Sequence, residues 1–177
     1  MPNSSRLFFA LWPGDATRQA LTRLNQVIST TEFRWVQPHN LHVTLMFLGH
    51  VSADAELSIK QAAADITAQP FELTFDSLSY WSKPNILCLT CRQPVPNEAA
   101  RLSAALAIAA SDCGLQTDTR PYTPHITLAQ HANYLPNAKI DPIVWRAEAF
   151  CLVESSSGPD GVCYKVMQQW PFTRKIG

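Results

Sequence analysis

The chain carries no surplus of charge. Its 14 lysines and arginines are matched by 14 acidic residues, and its isoelectric point is about 6.9. That argues against a protein that coats nucleic acid through many phosphates, since such proteins are basic. Any such contact is expected to be short, such as a strand terminus. Long apolar runs are also missing, so nothing approaches a membrane span and no membrane partner is expected. No secretory leader is visible: Met1 to Arg6 passes directly into a short apolar run ending at Pro13. The five cysteines (Cys88, Cys91, Cys113, Cys151, Cys163) are odd in number and irregular in spacing. They read as reduced thiols of a cytoplasmic protein, not a disulfide framework. Walker A and dinucleotide-binding glycine patterns are absent. Cys88-Leu89-Thr90-Cys91 has no second pair with which to hold zinc, and Ser155-Ser156-Ser157-Gly158 lacks nucleophile-elbow spacing.

What is present suffices for a core. Apolar residues make up 46% of 177, enough for one large domain or two small lobes sharing a cleft. No linker divides residues 1–177, so a single domain of two intertwined lobes is expected. Strands are expected at Arg6 to Trp12, Phe33 to Val36, Leu41 to Leu48 (ended by Gly49), Phe71 to Phe75, Ile86 to Cys91, His125 to Ala129, Ala147 to Glu154 and Val162 to Trp170. Ser155 to Gly161 reads as a polar turn. Helices are expected from Asp15 to about Ile28, from a Ser52 or Asp54 cap to about Ala68, and from Asn97 to Cys113 with Gly114 as its C′ residue. Strands outnumber helices and several neighbours suit hairpins. The fold class is α+β with antiparallel sheets, not a regular βαβ winding.

One pattern occurs twice. His42-Val43-Thr44-Leu45 and His125-Ile126-Thr127-Leu128 lie 83 residues apart, one in each half. Each sits in an apolar, β-branched run. On a strand, residues i and i+2 share a face. Each copy therefore offers an imidazole and a hydroxyl together, while its aliphatic residues turn the other way. One strand histidine is ordinarily structural, but two in the same local pattern point to a duplicated half-site. Two imidazoles across a groove supply an acid and a base without metal, because histidine titrates near neutrality. Thr44 and Thr127 can donate to phosphate oxygens where charge builds up. Arg120, five residues before His125, is a candidate cation for the same anion, and an ordinary surface arginine otherwise.

The other histidines are weaker candidates. His39 and His42 have a metal-like His-x-x-His spacing, but i and i+3 face opposite ways on a strand and Pro38 interrupts the approach. His50 is expected at a turn, and His131 just beyond the second motif. Trp12, Phe47, Tyr122, Tyr164 and Trp170 are expected mostly in the core, with one or two available to stack on a base.

These residues resemble a known family. The opening Arg6-Leu7-Phe8-Phe9-Ala10-Leu11, the segment Asn40 to Gly49, the segment Arg120 to Ala129, Tyr164 and Trp170-Pro171 together resemble the two-histidine (2H) phosphoesterases. Within them they are similar to the bacterial branch called RNA 2′,3′-cyclic phosphodiesterase or 2′-5′ RNA ligase. The resemblance implies a bilobal, pseudo-symmetric α+β fold around a central cleft. It implies hydrolysis of RNA 2′,3′-cyclic phosphate ends to 2′-phosphates with no cofactor and no metal. His42 would be the proton donor to O3′ and His125 the proton acceptor from water, with Thr44, Thr127 and Arg120 holding the phosphate. The implied partners are RNA ends or nucleotides with a cyclic phosphate, including tRNA halves joined reversibly through a 2′-5′ linkage, acted on by a monomer. Gln130 stands where the family often has Arg or Lys, which touches substrate length, not the chemistry. Tyr122 replaces the commoner Phe.

Two competing readings make different demands. A non-catalytic RNA-end binder on the same fold would bind cyclic-phosphate ends without turnover. A metallohydrolase built on His39 and His42 would need further ligands beside them.

Overall fold

The computed structural model describes residues 3–28, 30–118 and 120–173. Ten strands and three helices follow one another as β1 (Ser4–Leu11), α1 (Asp15–Ile28), β2 (Arg34–Trp35), β3 (Val43–Ser52), α2 (Ala53–Ala64), β4 (Phe71–Phe75), β5 (Ser77–Trp81), β6 (Ile86–Thr90), α3 (Asn97–Asp112), β7 (His125–Gln130), β8 (Ile143–Ala147), β9 (Ala149–Gly158) and β10 (Gly161–Pro171). A short 3-10 turn, Pro38–Asn40, precedes β3. The fold is α+β, as expected.

Eight strands form one antiparallel sheet in the order β10-β9-β1-β3-β7-β6-β5, with β2 beside β7; β4 and β8 pair separately. Two ladders, β10-β9-β1-β3 and β7-β6-β5, meet where β3 and β7 share the single pair Val43↔Ile126. Strand alternation gives the sheet two faces. Leu7, Phe9 and Leu11 of β1 point into the main core with Leu21 and Leu24 of α1, Ile59 of α2, and Leu102 and Leu106 of α3. Each such side chain contributes roughly 1.5–3 kcal/mol by leaving water. Phe8 and Ala10 point the other way, with Cys151 and Val153 of β9, and form a smaller apolar floor touched by Trp12 and Tyr164.

The helices follow local rules. The Ser52 side chain accepts a bond from Ala55 N and caps α2. Leu102, Leu106, Ala109 and Ala110 of α3 recur at helical spacing and are buried. Gly114 (φ +76°) reverses the chain after α3, with Leu115 N bonded to Ala110 O at 2.9 Å.

Several boundaries differ from the sequence-based expectation. β3 begins at Val43 and not at Leu41, so His42 stands just before the strand. Gly49 does not end β3. It takes a φ of +72° at an irregularity in the β1 pairing, and the strand continues, so His50 lies within the ladder opposite Arg6 and not at a turn. Ser155 to Gly158 belong to β9, because Ser155 pairs with both Arg6 and Tyr164; only Pro159 and Asp160 turn. Helix α2 ends at Ala64, tightened by 3-10 bonds from Asp65 N and Ile66 N to Ala62 O and Ala63 O. The strand expected from Ala147 begins at Ala149 as β9, and Ala147 instead ends β8, a strand that was not expected.

Candidate active site

The pair Val43↔Ile126 sits at the centre of both motifs. Continuing that antiparallel register by one residue each way sets position 42 opposite 127 and position 44 opposite 125. Val43 and Ile126 are fully buried, so the four flanking side chains share the opposite face. Opposite residues hold their Cβ atoms about 5 Å apart and diagonal ones about 7–8 Å. The histidines occupy one diagonal and the threonines the other.

The rings are mounted alike. His42 Nδ1 donates to Asn40 O at 2.6 Å and His125 Nδ1 donates to Thr123 O at 2.9 Å. Each bond joins a ring to the carbonyl two residues earlier. It fixes the Nδ1–H tautomer and leaves the Nε2 lone pair turned away from the backbone. His42 Nε2 also accepts from the Thr44 hydroxyl at 3.0 Å.

Their surroundings differ. His42 is partly exposed, but three aromatic rings enclose it. Trp12 stacks on it at 5.5 Å and 14°, Tyr164 meets it edge-on at 5.1 Å, and Phe8 lies at 5.0 Å. Burial is the largest cause holding its pKa down at about 4. The Asn40 carbonyl opposes that shift, while the positive charges of His125 and Arg18 add to it. His125 touches Trp81 at 4.6 Å, and burial lowers its pKa against the Thr123 carbonyl. The influence of His125 on His42 places both imidazoles in one electrostatic site.

A groove of about 280 Å³ opens on the His125 side, walled by Thr44, Phe47, Trp81, Arg120 and Tyr122 among others. His42 and Thr127 are not part of its wall. By the extended register they lie on the same sheet face, so the groove covers the His125 half of the crossing. The structure thus brings His42, Thr44, His125 and Thr127 together at the strand crossing. Arg120 reaches only the rim. Its side chain is 83% exposed and ion-paired with Asp118 at 2.5 Å.

The remaining candidates separate from the site. His39 is exposed in the 3-10 turn, and His131 is exposed beyond β7. No three His, Cys, Asp or Glu side chains gather as a metal cluster among the described residues. Cys88 and Cys151 are buried and unpaired, and burial pushes each thiol up to about 12, as core thiols should behave. No described helix is long and apolar enough to cross a membrane.

Sequence reading missed Trp81 and the closeness of Phe8, Trp12 and Tyr164 to His42. No local pattern marks them, because they converge from β5, from β1 and the residue after it, and from β10. Arg18 was missed too. Its guanidinium donates to the carbonyls of Pro38, Pro13 and Leu41 and lies 5.8 Å from the Trp12 ring centre. It braces the turn that carries His42 and the indole that stacks on it.

Comparison with known proteins gives the family and the fold. The family model described as LigT like Phosphoesterase matches residues 11–88. The RNA 2′,3′-cyclic phosphodiesterase of Escherichia coli (strain K12) is 30% identical over 98% of this chain and 100% of its own length. This chain belongs to the LigT-like phosphoesterase family. Another relative, the RNA 2′,3′-cyclic phosphodiesterase of Bacillus subtilis (strain 168), is 32% identical over 60% of this chain and 59% of its own. The crystal structure of E. coli LigT complexed with 3′-AMP superposes with a TM-score of 0.87 at 31% identity, covering 97% of this chain and 99% of that one. The crystal structure of TT0787 of Thermus thermophilus does so at 0.75 and 25% identity, covering 96% and 99%.

Proposed function

We propose that this LigT-like phosphoesterase is an RNA 2′,3′-cyclic phosphodiesterase that opens the cyclic phosphate of an RNA end to a 2′-phosphate by metal-independent acid–base catalysis. The carrying observation is the strand crossing at Val43↔Ile126, with its diagonal imidazoles and their matched Nδ1 anchors. The naming of relatives over the whole chain supports the substrate class. Residues 1–177 act as one domain, with one motif in each half.

The chemistry follows from the placement. One Nε2 takes a proton from water as it attacks phosphorus. The other gives a proton to O3′ as the P–O3′ bond breaks, leaving a 2′-phosphate and a free 3′-hydroxyl. The Thr44 and Thr127 hydroxyls donate to the non-bridging oxygens, whose charge grows in the transition state. Arg120 meets the anion at the rim. The nucleoside lies in the groove, where Phe47 and Trp81 offer ring faces; 3′-AMP bound to E. coli LigT shows that a related fold accepts a nucleotide. With a 5′-hydroxyl of RNA in the place of water, the same ring opening forms the P–O5′ bond as P–O3′ breaks and O3′ takes a proton, which joins RNA ends, tRNA halves included, through a 2′-5′ linkage; the reverse step cleaves it.

His42 as acid and His125 as base is the division the family resemblance implies. One observation favours the opposite. His42 is held lower and already accepts from Thr44 at Nε2, which suits a neutral base. As acid, His42 must be recharged by the arriving phosphate anion, whose negative charge raises both imidazoles.

The test is incubation with a short RNA ending in a 2′,3′-cyclic phosphate, with a chelator present. A 2′-phosphate product is expected at an undiminished rate. Tight binding without turnover would make the protein an RNA-end binder, and abolition by the chelator would make it a metalloenzyme.

A further inference from the structure

Asn40 is the one polar residue buried among the described residues, at 6% exposure. It makes three bonds in three directions. Its backbone N donates to Gln37 O at 2.8 Å and closes the 3-10 turn. Its carbonyl accepts His42 Nδ1–H at 2.6 Å. Its side-chain Nδ2 crosses 122 positions of sequence to donate to Val162 O at 2.9 Å. Val162 is the second residue of β10, and two residues later that strand supplies Tyr164, whose ring stands edge-on to His42. One side chain therefore joins the carbonyl that aims the imidazole to the strand that walls it in.

The amide is kept at a cost. Its Oδ1 is buried with no partner, and an unsatisfied buried acceptor destabilises a fold. Packing alone would be better served by an apolar residue of the same size. The turn lies close beneath the hairpin tip. A Cβ on Gly161 (φ +109°) would come within 2.9 Å of Arg34 Nη2, so the tip is held near β2 as well. In the second half-site the carbonyl that accepts from His125 belongs to Thr123, which is exposed and not buried as Asn40 is.

We propose that Asn40 is a positioning residue. Its amide bond to β10 fixes the carbonyl that sets the tautomer and aim of His42. The inference rests on the reading of His42 as a proton-transfer group. A shift of about 1 Å in such a group can cost about 10²-fold in rate.

The experiment is side-chain nitrogen NMR of the full chain near neutral pH, paired with steady-state kinetics on an RNA 2′,3′-cyclic phosphate. In the parent protein His42 should be a single Nδ1–H tautomer. In Asn40→Leu, which keeps the volume and loses the donor, the tautomers should mix and kcat should fall about 10²-fold, with KM within a few-fold. Asn40→Ala should behave likewise; should it fail to fold, the leucine variant carries the test. Asn25→Ala is the control. It removes another amide with a buried, unpartnered oxygen, on α1, and should leave the His42 tautomer unchanged. A single Nδ1–H tautomer with undiminished kcat in Asn40→Leu would overturn the positioning role and leave the phosphodiesterase reading standing. An inactive parent protein would defeat that reading whatever the tautomer.

Discussion

His42 stands inside a ring of three aromatics, on a turn braced by Arg18 and Asn40, while His125 stands at the groove with Trp81 against it and the exposed Thr123 behind. The motifs are the same, and so are the Nδ1 anchors. What differs is how much dry, rigid protein surrounds each ring. A shared motif sets which atoms react, and the environment sets how readily each ring holds a proton. Such a difference is what would let a duplicated half-site divide acid from base.

The largest test of the comparison is to remove each ring in turn. His42→Ala and His125→Ala should each lower kcat by on the order of 10²–10⁴, since each removes a proton-transfer partner. A substrate with sulfur in place of the bridging O3′ then separates the roles. A thiolate departs without a proton, so the variant lacking the acid should recover on that substrate and the variant lacking the base should not. Recovery of His125→Ala would reverse the division drawn from the family resemblance.

These two residues were also the most legible part of the sequence, for a physical reason. His-x-Thr-Leu is local, and strand periodicity alone places His and Thr on one face. The crossing at Val43↔Ile126 is a register between strands far apart in the chain, and no local pattern encodes it. Trp12 and Tyr164 were legible only as core residues or base-stacking candidates and Trp81 not at all, because their meaning comes from which ring they touch. β5 escaped notice because Ser77 to Trp81 are all half-buried and show no alternation. His50 was misplaced because glycine at position 49 reads as a stop, whereas its positive φ lets the strand bend and continue.

The next effect is on stability. Unfolded His42 titrates near 6.5 and folded His42 at about 4. Between those values the unfolded chain takes up a proton that the fold refuses, so the stability is fully present above pH 6.5 and is lost as pH falls toward 4. The full difference is roughly 3 kcal/mol. His125 acts in the same direction with a smaller shift. Thermal melts from pH 7 to 4 should therefore flatten strongly in His42→Phe, which suits the aromatic surroundings, and only slightly in His125→Phe. Equal flattening would mean that the two rings are enclosed to the same degree.

Phe47 belongs to the open half. It is 58% exposed on the groove wall, an unusual place for a large apolar ring unless something stacks on it. Phe47→Ala should weaken binding by about 1–3 kcal/mol, read as KM, with kcat nearly unchanged. An unchanged KM would move the base to another wall of the groove.

Arg120 gives the smallest effect, and its sign comes from its partner. Asp118 accepts from both Nε and Nη2, and that pairing holds its carboxyl down at about 2. Neutralised in this way and open to water, Arg120 offers a substrate phosphate a weak attraction that salt screens. Arg120→Gln should raise KM a few-fold at low ionic strength and hardly at all at high. Asp118→Asn should lower KM by freeing the guanidinium, most visibly at low salt. If Arg120→Gln instead reduced kcat strongly at every salt concentration, the guanidinium would have to leave Asp118 and reach the phosphate when substrate binds, and the open half-site would owe its chemistry to a loop rearrangement that the enclosed half does not need.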